Sequence, residues 1–344
     1  MLAALLCSGA ISANAENPEI DGSSYFLPKT ALKFVLLTEK TTYTPGEFNQ
    51  YAERYFKKEA SANEQTSYRI ISIKMIPYGV ADTSKVFTAK IDAKHNITYL
   101  HKNANGVLLA INDKPAAPKV EQPFEAAPKP APINSYDYLS QEILHTGSKA
   151  KMAELTADEI YDIRESRSQL AKGQADNMPT DGQQLKLMLN RLDIQEKALN
   201  QLFYGTEVKD TAETVITYIP EGEVNRELLF RFSKHFGTVD KDDLSGTPYY
   251  ISISDAHQVP TNTVTAAKED KNRGEAGVWV NLPGKIKVNL YQEEKTLSTF
   301  ETNSAQFGRT EPVTNELFSK KSETKLVLNP ITGNLESIST ELKK

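Results

Sequence analysis

A proline-rich segment most constrains how this chain can fold. Between Pro115 and Pro132, six of the eighteen residues are proline, and most of the others are Ala, Lys or Glu. Proline lacks an amide hydrogen and fixes φ, so such a segment can neither wind into a helix nor pair inside a sheet. We therefore predict an extended Pro/Ala-rich linker over residues 114–134, which divides the 344-residue chain into two folded parts.

The residues before this linker are typical of strands. Three stretches are rich in β-branched and aromatic residues: 31–39, 68–76 and 85–91. Asn105-Gly106 predicts a hairpin turn. Thr44-Pro45-Gly46-Glu47 has the pattern of a helix start, with Thr as N-cap and Glu closing a capping box. We therefore predict an N-terminal α+β domain, mainly β, over residues 16–113.

Two helical segments follow the linker. Ser148–Lys172 and Asp181–Tyr204 carry apolar residues at helical spacing, and each is followed by a glycine of the kind that ends helices. Because only a short polar loop joins them, we expect an antiparallel helical hairpin over residues 135–206.

Some side chains of this hairpin have predictable surroundings. Two helices alone make a thin core, so we expect one face to lie on a β domain or on a partner, through Ile160, Ile194 and Phe203. Arg167 either fixes the register of the helices through a polar contact or lies in solvent. We expect Glu165 to lie on a solvated face.

Strand patterns return between residues 207 and 344. Apolar and polar residues alternate on both sides of Leu282-Pro283-Gly284-Lys285, where Pro and Gly take their positions in a type II turn. We predict an antiparallel, β-sandwich-like C-terminal domain over 207–344, so the fold class is α+β multi-domain. Both β regions contain a Leu-Pro pair before a strand and a hairpin turned by Asn and Gly, so an internal duplication of the chain stays an open alternative.

The first fifteen residues predict a secretory signal peptide. Leu2–Ile11 form a short apolar core, and Ala13-Asn14-Ala15 supplies the small residues that a signal peptidase needs. The apolar run is too short to span a bilayer. We therefore predict cleavage of residues 1–15 and a mature protein that begins at Glu16, has no transmembrane segment, and is periplasmic, at the cell surface or extracellular.

Residue types that carry chemistry are sparse. The one cysteine, Cys7, falls within the predicted leader, which excludes a disulfide framework and Cys-based metal sites from the mature chain. No two of the five histidines have the spacing that presents both to one metal, and Gly-x-Ser-x-Gly, Walker and dinucleotide motifs are missing. The net charge of −5 and the lack of a basic stripe argue against a nucleic-acid partner. We predict no catalytic, cofactor-binding or metal-ligating residue, and no cofactor.

Two further patterns have both a structural and a ligand-binding interpretation. Asp240-Lys241-Asp242-Asp243 is similar to the start of a calcium loop, but Ser245 and Ile251 stand where such a loop needs Gly and a bidentate acid. An acidic turn is therefore favoured. Tyr249-Tyr250 and Trp279 could form a platform for a sugar ring, but adjacent strand residues point to opposite faces, which favours core packing.

Several short motifs lie on both β regions and on the helical hairpin. They are Leu27-Pro28-Lys29-Thr30, Tyr43-Thr44-Pro45-Gly46, Tyr51-Ala52-Glu53-Arg54-Tyr55, Gly147–Glu154, Glu159–Arg167, Met178-Pro179-Thr180-Asp181-Gly182, Phe307-Gly308 and Asn329-Pro330-Ile331-Thr332-Gly333. Together they resemble a secreted Bacteroidetes family catalogued only as a domain of unknown function, family number 4831. The resemblance covers nearly the whole mature chain. It implies export in a Gram-negative, gut-type bacterium and supplies no activity, cofactor or catalytic residue.

These observations favour an exported, non-catalytic cell-envelope protein that binds or scaffolds another component, an envelope protein or a glycan. One alternative is a glycan- or cell-wall-active hydrolase with paired carboxylates, which requires a concave pocket with two convergent acids, one of raised pKa. The other is a carbohydrate-binding module, which requires exposed, coplanar aromatic side chains on one sheet face.

Overall fold

The computed structural model of the chain describes residues 23–89, 96–115, 117, 122, 124–126, 128–129, 131–259 and 276–342. The predicted signal peptide and its cleavage site lie outside the described residues.

Strands form most of the regular structure. Before the proline-rich segment these are β1 (Ser23–Tyr25), β2 (Pro28–Thr44), β3 (Gln65–Ala81), β4 (Phe87–Ala89), β5 (Leu100–Lys102) and β6 (Leu108–Ile111). After the helices they are β7 (Thr206–Tyr218), β8 (Val224–Ser233), β9 (Gly237–Val239), β10 (Thr247–Asp255), β11 (Ala276–Gln292), β12 (Lys295–Thr314), β13 (Ser322–Leu328) and β14 (Leu335–Leu342). The helices are α1 (Ala52–Phe56), α2 (Gln141–Leu144), α3 (Lys149–Lys172) and α4 (Gly182–Tyr204), with 3₁₀ turns at Asn49–Tyr51, Ser135–Tyr138 and Asn315–Phe318. The chain is thus mostly β with a smaller helical part, as the α+β class requires.

The named strands pair antiparallel in several sheets. A three-stranded sheet has the order β3-β2-β7, and a five-stranded sheet has the order β12-β11-β10-β8-β9. A four-stranded sheet has the order β14-β13-β6-β5, and β1 pairs with β4 alone.

Two apolar cores hold these sheets together. In the first, Leu32, Phe34 and Leu36 of β2 pack against β8, β10 and β11, so the three-stranded and five-stranded sheets face each other. In the second, Tyr25 and Leu27 pack with side chains of β6, β11 and β13. Burying one Leu or Phe side chain contributes about 1.5–3 kcal/mol, so these interdigitated faces supply much of the stability of the β part.

Two sheets combine strands from both sides of the proline-rich segment. Strand β2 pairs with β7 from Leu32↔Tyr218 to Thr44↔Thr206, and β6 pairs with β13. These pairings correct the expectation that residues 16–113 and 207–344 form separate β domains with their own sheets. Strand partners are chosen by packing between distant residues, and a linker composition carries no information about that choice.

The proline-rich segment forms no helix or strand over its described residues. Pro128 and Pro132 are exposed, and Lys129 forms an ion pair with Asp210 of β7. The segment therefore meets the edge of the three-stranded sheet at this point.

The expected turn at Leu282-Pro283-Gly284-Lys285 is wrong. Strand β11 runs through these residues without reversing, and its pairing with β12 shifts between Leu282 and Gly284. The first half of β11 belongs to the second core through Val278, and the second half belongs to the first core through Val288. Pro and Gly therefore mark a bulge where one long strand passes from one core to the other.

The helix expected at Thr44-Pro45-Gly46-Glu47 begins later, and the capping box does not form. The 3₁₀ turn starts at Asn49, and no side chain caps it. The amide of Phe48 donates instead to the carbonyl oxygen of Leu202 at the end of α4 (2.6 Å), and Glu47 accepts a hydrogen bond from Tyr136. The bond from Tyr136 takes the Glu47 carboxylate that the capping box would have used, and Thr44 is paired with Thr206 as the last residue of β2.

The helical hairpin has the predicted limits. Ser148 caps α3 by accepting a hydrogen bond from the amide of Lys151 (3.2 Å), and Asp181 caps α4 by accepting from the amides of Gln183 and Gln184 (2.7 Å each). Each such cap stabilises its helix by about 1 kcal/mol. We call α3 and α4 together the arm.

The base of the arm contains a third core. Ile160 and Phe203, each 0 % exposed, pack there with Phe48 and Ala52. The arm therefore rests on the segment that contains α1 and not on a sheet face. Ile194 is 44 % exposed, so no β domain covers it within the described residues, and its contact with a partner stays a prediction.

Candidate functional site

A network of side-chain hydrogen bonds lies at the bulge between β11 and β12. Leu282 pairs with Arg309 whereas Gly284 pairs with Ser304, so residues 305–308 of β12 lie opposite Pro283 alone. The two backbones approach closely here, because a Cβ on Gly308 would lie 1.8 Å from the carbonyl oxygen of Leu282. The bulge therefore holds three extra residues on β12, and Gln306 within it reaches the start of β2.

Gln306 and Thr30 bind each other in a reciprocal arrangement. The amide of Thr30 donates to Oε1 of Gln306 (2.9 Å), and Nε2 of Gln306 donates to the carbonyl oxygens of Thr30 and Pro220 (3.0 Å each). The Thr30 hydroxyl accepts from the amide of Ala305 (3.1 Å) and donates to the carbonyl oxygen of Ile331 (3.3 Å). Because Thr30 is fully buried, these bonds replace the water that its polar groups lose on folding.

Asn281 connects the same region to the last hairpin turn. Its Nδ2 donates to the carbonyl oxygens of Pro28 (3.1 Å) and Thr332 (2.9 Å), and its Oδ1 accepts from Thr310. Segments near residues 28–30, 306–308 and 330–333 therefore meet at one place, although they are far apart along the chain.

A cavity of about 370 Å³ opens beside this network. Its apolar wall includes Leu27, Phe87 and Ile219, and its charged residues are Lys29, Asp82, Lys85, Glu221 and Arg309. This volume lies within the range of small-molecule sites.

The charged groups of the cavity divide into paired and unpaired ones. Lys29 binds Asp82 (3.2 Å), and Arg309 binds Glu311 through Nε (2.6 Å). Lys85 and Glu221 are exposed at the cavity and form no ion pair with any residue that the structure describes. One cation and one anion thus stay available for a bound molecule.

Asp82 is held in its ionised form. Burial alone would raise the pKa of Asp82, but hydrogen bonds from the Ser84 hydroxyl (2.6 Å) and from Lys29 outweigh burial and leave that pKa below its ordinary value. A carboxyl group with a lowered pKa is a poor proton donor at neutral pH, so Asp82 suits binding and not general-acid catalysis.

A second charged cluster joins the two helices of the arm. Arg164 of α3 binds Glu196 of α4 (2.6 Å), and Arg167 binds both Asp193 (2.7 Å) and Glu196 (2.6 Å). Arg167 therefore makes the polar contact between helices that was one of its two predicted roles. Glu165 is exposed, as predicted, and accepts a hydrogen bond from Gln169.

The sequence patterns with two interpretations turn out to be structural. Asp240–Asp243 lies in the turn between β9 and β10, where Asp243 accepts from the amide of Ser245 (2.8 Å). Tyr249 is 8 % exposed and stacks on Phe230, whereas Tyr250 lies under Arg226, so the two rings form no shared platform. Trp279 packs against Phe87.

Histidines lie apart from the cavity as far as the structure describes them. His95 lies outside the described residues, and the others are His101, His145, His235 and His257. No group of three or more His, Cys, Asp or Glu residues that could hold a metal ion occurs within the described ranges.

Sequence reasoning missed the residues that form the cavity. Gln306, Asn281, Lys85 and Glu221 belong to no chemical motif, and only tertiary structure brings them together. The glycines at positions 284 and 308 were a sequence signal for the bulge beside the cavity, because glycine in a strand often marks a bulge or a close backbone approach.

Comparison with known proteins places the chain in a family without assigning an activity. No helix of the described part of the chain has the length and apolar character needed to cross a membrane. No curated protein and no solved structure matches the sequence. The model of one family, described as "Domain of unknown function (DUF4831)", matches residues 21–336. The chain therefore belongs to the DUF4831 family.

Proposed function

We propose that this chain is an exported, non-catalytic protein of the cell envelope that binds or scaffolds another component. The observation that carries the proposal is the cavity beside Gln306. Lys85 and Glu221 line it and form no ion pair within the described residues, while Lys29 and Ser84 hold Asp82 as a carboxylate. This arrangement supplies charge for recognition, and the lowered pKa of Asp82 makes that carboxyl group unsuited to donate a proton for cleavage.

The ligand class follows from the charges. Lys85 suits a carboxylate and Glu221 suits an ammonium or amide group, while Phe87 and Ile219 offer apolar contact. A cell-wall glycan fragment that bears a short peptide carries all of these groups.

Titration calorimetry with soluble disaccharide-peptide fragments of the cell wall tests the binding step. We expect binding that weakens about tenfold or more in Lys85→Ala and in Glu221→Ala, because each change removes a charge-assisted hydrogen bond. Lys234→Ala, another exposed lysine, is the matched control and should bind as the parent does. Equal affinity in all three variants would reject the cavity as the site.

Export is part of the proposal and has its own test. Ala13-Asn14-Ala15 supports cleavage before Glu16 by a signal peptidase. Mass spectrometry of the protein from the envelope of the producing cell should find Glu16 at the N-terminus. A chain that retains Met1 would contradict export by this route.

The cavity also gives the hydrolase alternative a specific basis, because Asp82 and Glu221 both line it. Glycoside cleavage by two carboxyl groups needs one of them protonated as the acid. The lowered pKa of Asp82 leaves Glu221 as the candidate acid in that alternative.

A further inference from the structure

One outer face of the arm exposes unpaired cations because of how the ion pairs of the arm are arranged. Helix α4 contains two acids, Asp193 and Glu196, and both are paired with arginines of α3. The cations of α4 are Lys186, Arg191 and Lys197. All three are exposed, and none forms an ion pair with another residue of the described ranges.

These cations flank an uncovered apolar stripe. Leu187 is 56 % exposed and Ile194 is 44 % exposed, and seven positions, close to two turns, separate them on one side of α4. Leu187 lies nine positions from Glu196, which is two and a half turns, so the stripe faces away from the side that binds α3.

The same side of α4 is covered nearer the base of the arm. Ala198 and Leu202 continue the stripe and are 0 % and 6 % exposed. The 3₁₀ turn Ser135–Tyr138 lies against this part of the helix, with the Ser135 hydroxyl donating to Gln201 (3.4 Å). The exposed stripe is therefore the continuation of a surface on which the chain already packs.

Helix α3 lacks this excess of cations. It has five acids and five cations, and Asp158, Asp162 and Glu165 are exposed on it. An anionic surface is therefore attracted more strongly to α4 than to α3.

We propose that the cationic face of α4, formed by Lys186, Leu187, Arg191, Ile194 and Lys197, docks on an anionic lipid surface. The cations reach lipid phosphates on both sides of the stripe, while Leu187 and Ile194 enter the boundary of the acyl chains. This inference goes beyond the proposed function and does not rest on the cavity.

Two other occupants fit the face less well. A second copy paired through this face by two-fold symmetry would set three cations against three cations. An acidic protein groove that accepts a helix uses apolar anchors at i, i+3 or i+4, and i+7. Between Leu187 and Ile194 the middle positions are Asn190 and Arg191, so the central anchor is missing.

Co-sedimentation of the full mature chain with vesicles tests the proposal. We expect binding to vesicles of phosphatidylglycerol mixed with phosphatidylcholine, little binding to phosphatidylcholine alone, and weaker binding as salt is added. Each Lys or Arg near an anionic surface contributes roughly a factor of five. Lys186→Gln, Arg191→Gln and Lys197→Gln combined should therefore lower the partition coefficient by about two orders of magnitude.

The control variant has the same net charge as this triple variant, but its neutralised residues lie outside the arm. Lys234→Gln, Lys241→Gln and Lys320→Gln combined also neutralise three exposed lysines, and none of them lies on the arm. This variant should bind nearly as the parent does. Circular dichroism should show equal helix content in both variants, because every changed side chain is exposed.

Three outcomes would overturn the proposal. One is equal binding to both kinds of vesicle, and another is an equal loss in the two triple variants, which would report net charge alone. The third is absence of binding to the anionic vesicles; a photo-crosslinker at Leu187 that attaches to a protein in the native envelope would then assign the face to an acidic protein.

Discussion

Gln306→Ala tests whether the β12 bulge connects the two ends of the chain. The side chain of Gln306 accepts from the amide of Thr30 and donates to the carbonyl oxygens of Thr30 and Pro220. Alanine removes these three hydrogen bonds and a fourth, which Oε1 of Gln306 accepts from the Ser304 hydroxyl (3.0 Å), and it leaves the backbone of the bulge in place. Thr30 is 0 % exposed, so water cannot readily replace the lost acceptor.

The expected cost follows from these bonds one by one. A buried amide left without an acceptor costs about 1–3 kcal/mol. Each carbonyl oxygen that loses a donor adds roughly 0.5–1 kcal/mol, because a second lone pair and solvent at the cavity compensate in part. We therefore expect Gln306→Ala to lower the free energy of unfolding by about 2–5 kcal/mol.

Urea unfolding followed by tryptophan fluorescence and by circular dichroism measures this change. Gln169→Ala is the matched control, because Gln169 is exposed and bonds only to Glu165 on its own helix; we expect a change within about 0.5 kcal/mol. Gln306→Glu gives an independent check. Its carboxylate would face two carbonyl oxygens, so its pKa rises on folding and stability is lost as pH rises above about 4. A cost for Gln306→Ala no larger than that of the control would refute the reasoning.

Three further predictions concern the rest of the fold. Phe203→Ala should lower the free energy of unfolding measured in urea by about 3–5 kcal/mol, since Phe203 is 0 % exposed and packs among aromatic rings. Phe236 is 68 % exposed, so Phe236→Ala, the control, should change this free energy by less than about 0.5 kcal/mol. Because the pKa of Asp82 is lowered by folding, the ionised carboxylate stabilises the folded state, and this stabilisation is lost as pH falls below about 4. Asp82→Asn should therefore reduce the dependence of the unfolding midpoint on pH in the acid range. An unchanged dependence would contradict the assignment. A protease cut within residues 115–132 should leave two fragments that elute together in native gel filtration, because β2 pairs with β7 and β6 with β13; separate elution would contradict the shared sheets.

Local features of this fold could be predicted from the sequence because neighbouring residues determine them. Ser148 and Asp181 cap their helices with their own side chains, so the limits of the arm follow from short patterns. The hairpin turn at Asn105-Gly106 is equally local, and Gly106 has a φ of 77°. Both predictions are confirmed.

Features that depend on distant residues could not be predicted in this way. The pairing of β2 with β7 and the bulge at Pro283 both follow from how two cores share long strands. Pro-Gly fits a turn or a bulge equally well, and only the packing partners of β11 decide between them. The cavity could not be foreseen for the same reason, because Lys85 and Glu221 reach it from loops after different strands.

One measurement tests most directly the claim that this protein binds without catalysis. The mature protein is incubated with disaccharide-peptide fragments, and the same sample is analysed for bound ligand by hydrogen exchange and for products by mass spectrometry. We predict slower amide exchange around Lys85, Glu221 and Gln306 and no new product. Product formation that Glu221→Gln abolishes would contradict the account and establish the carboxylate hydrolase in its place.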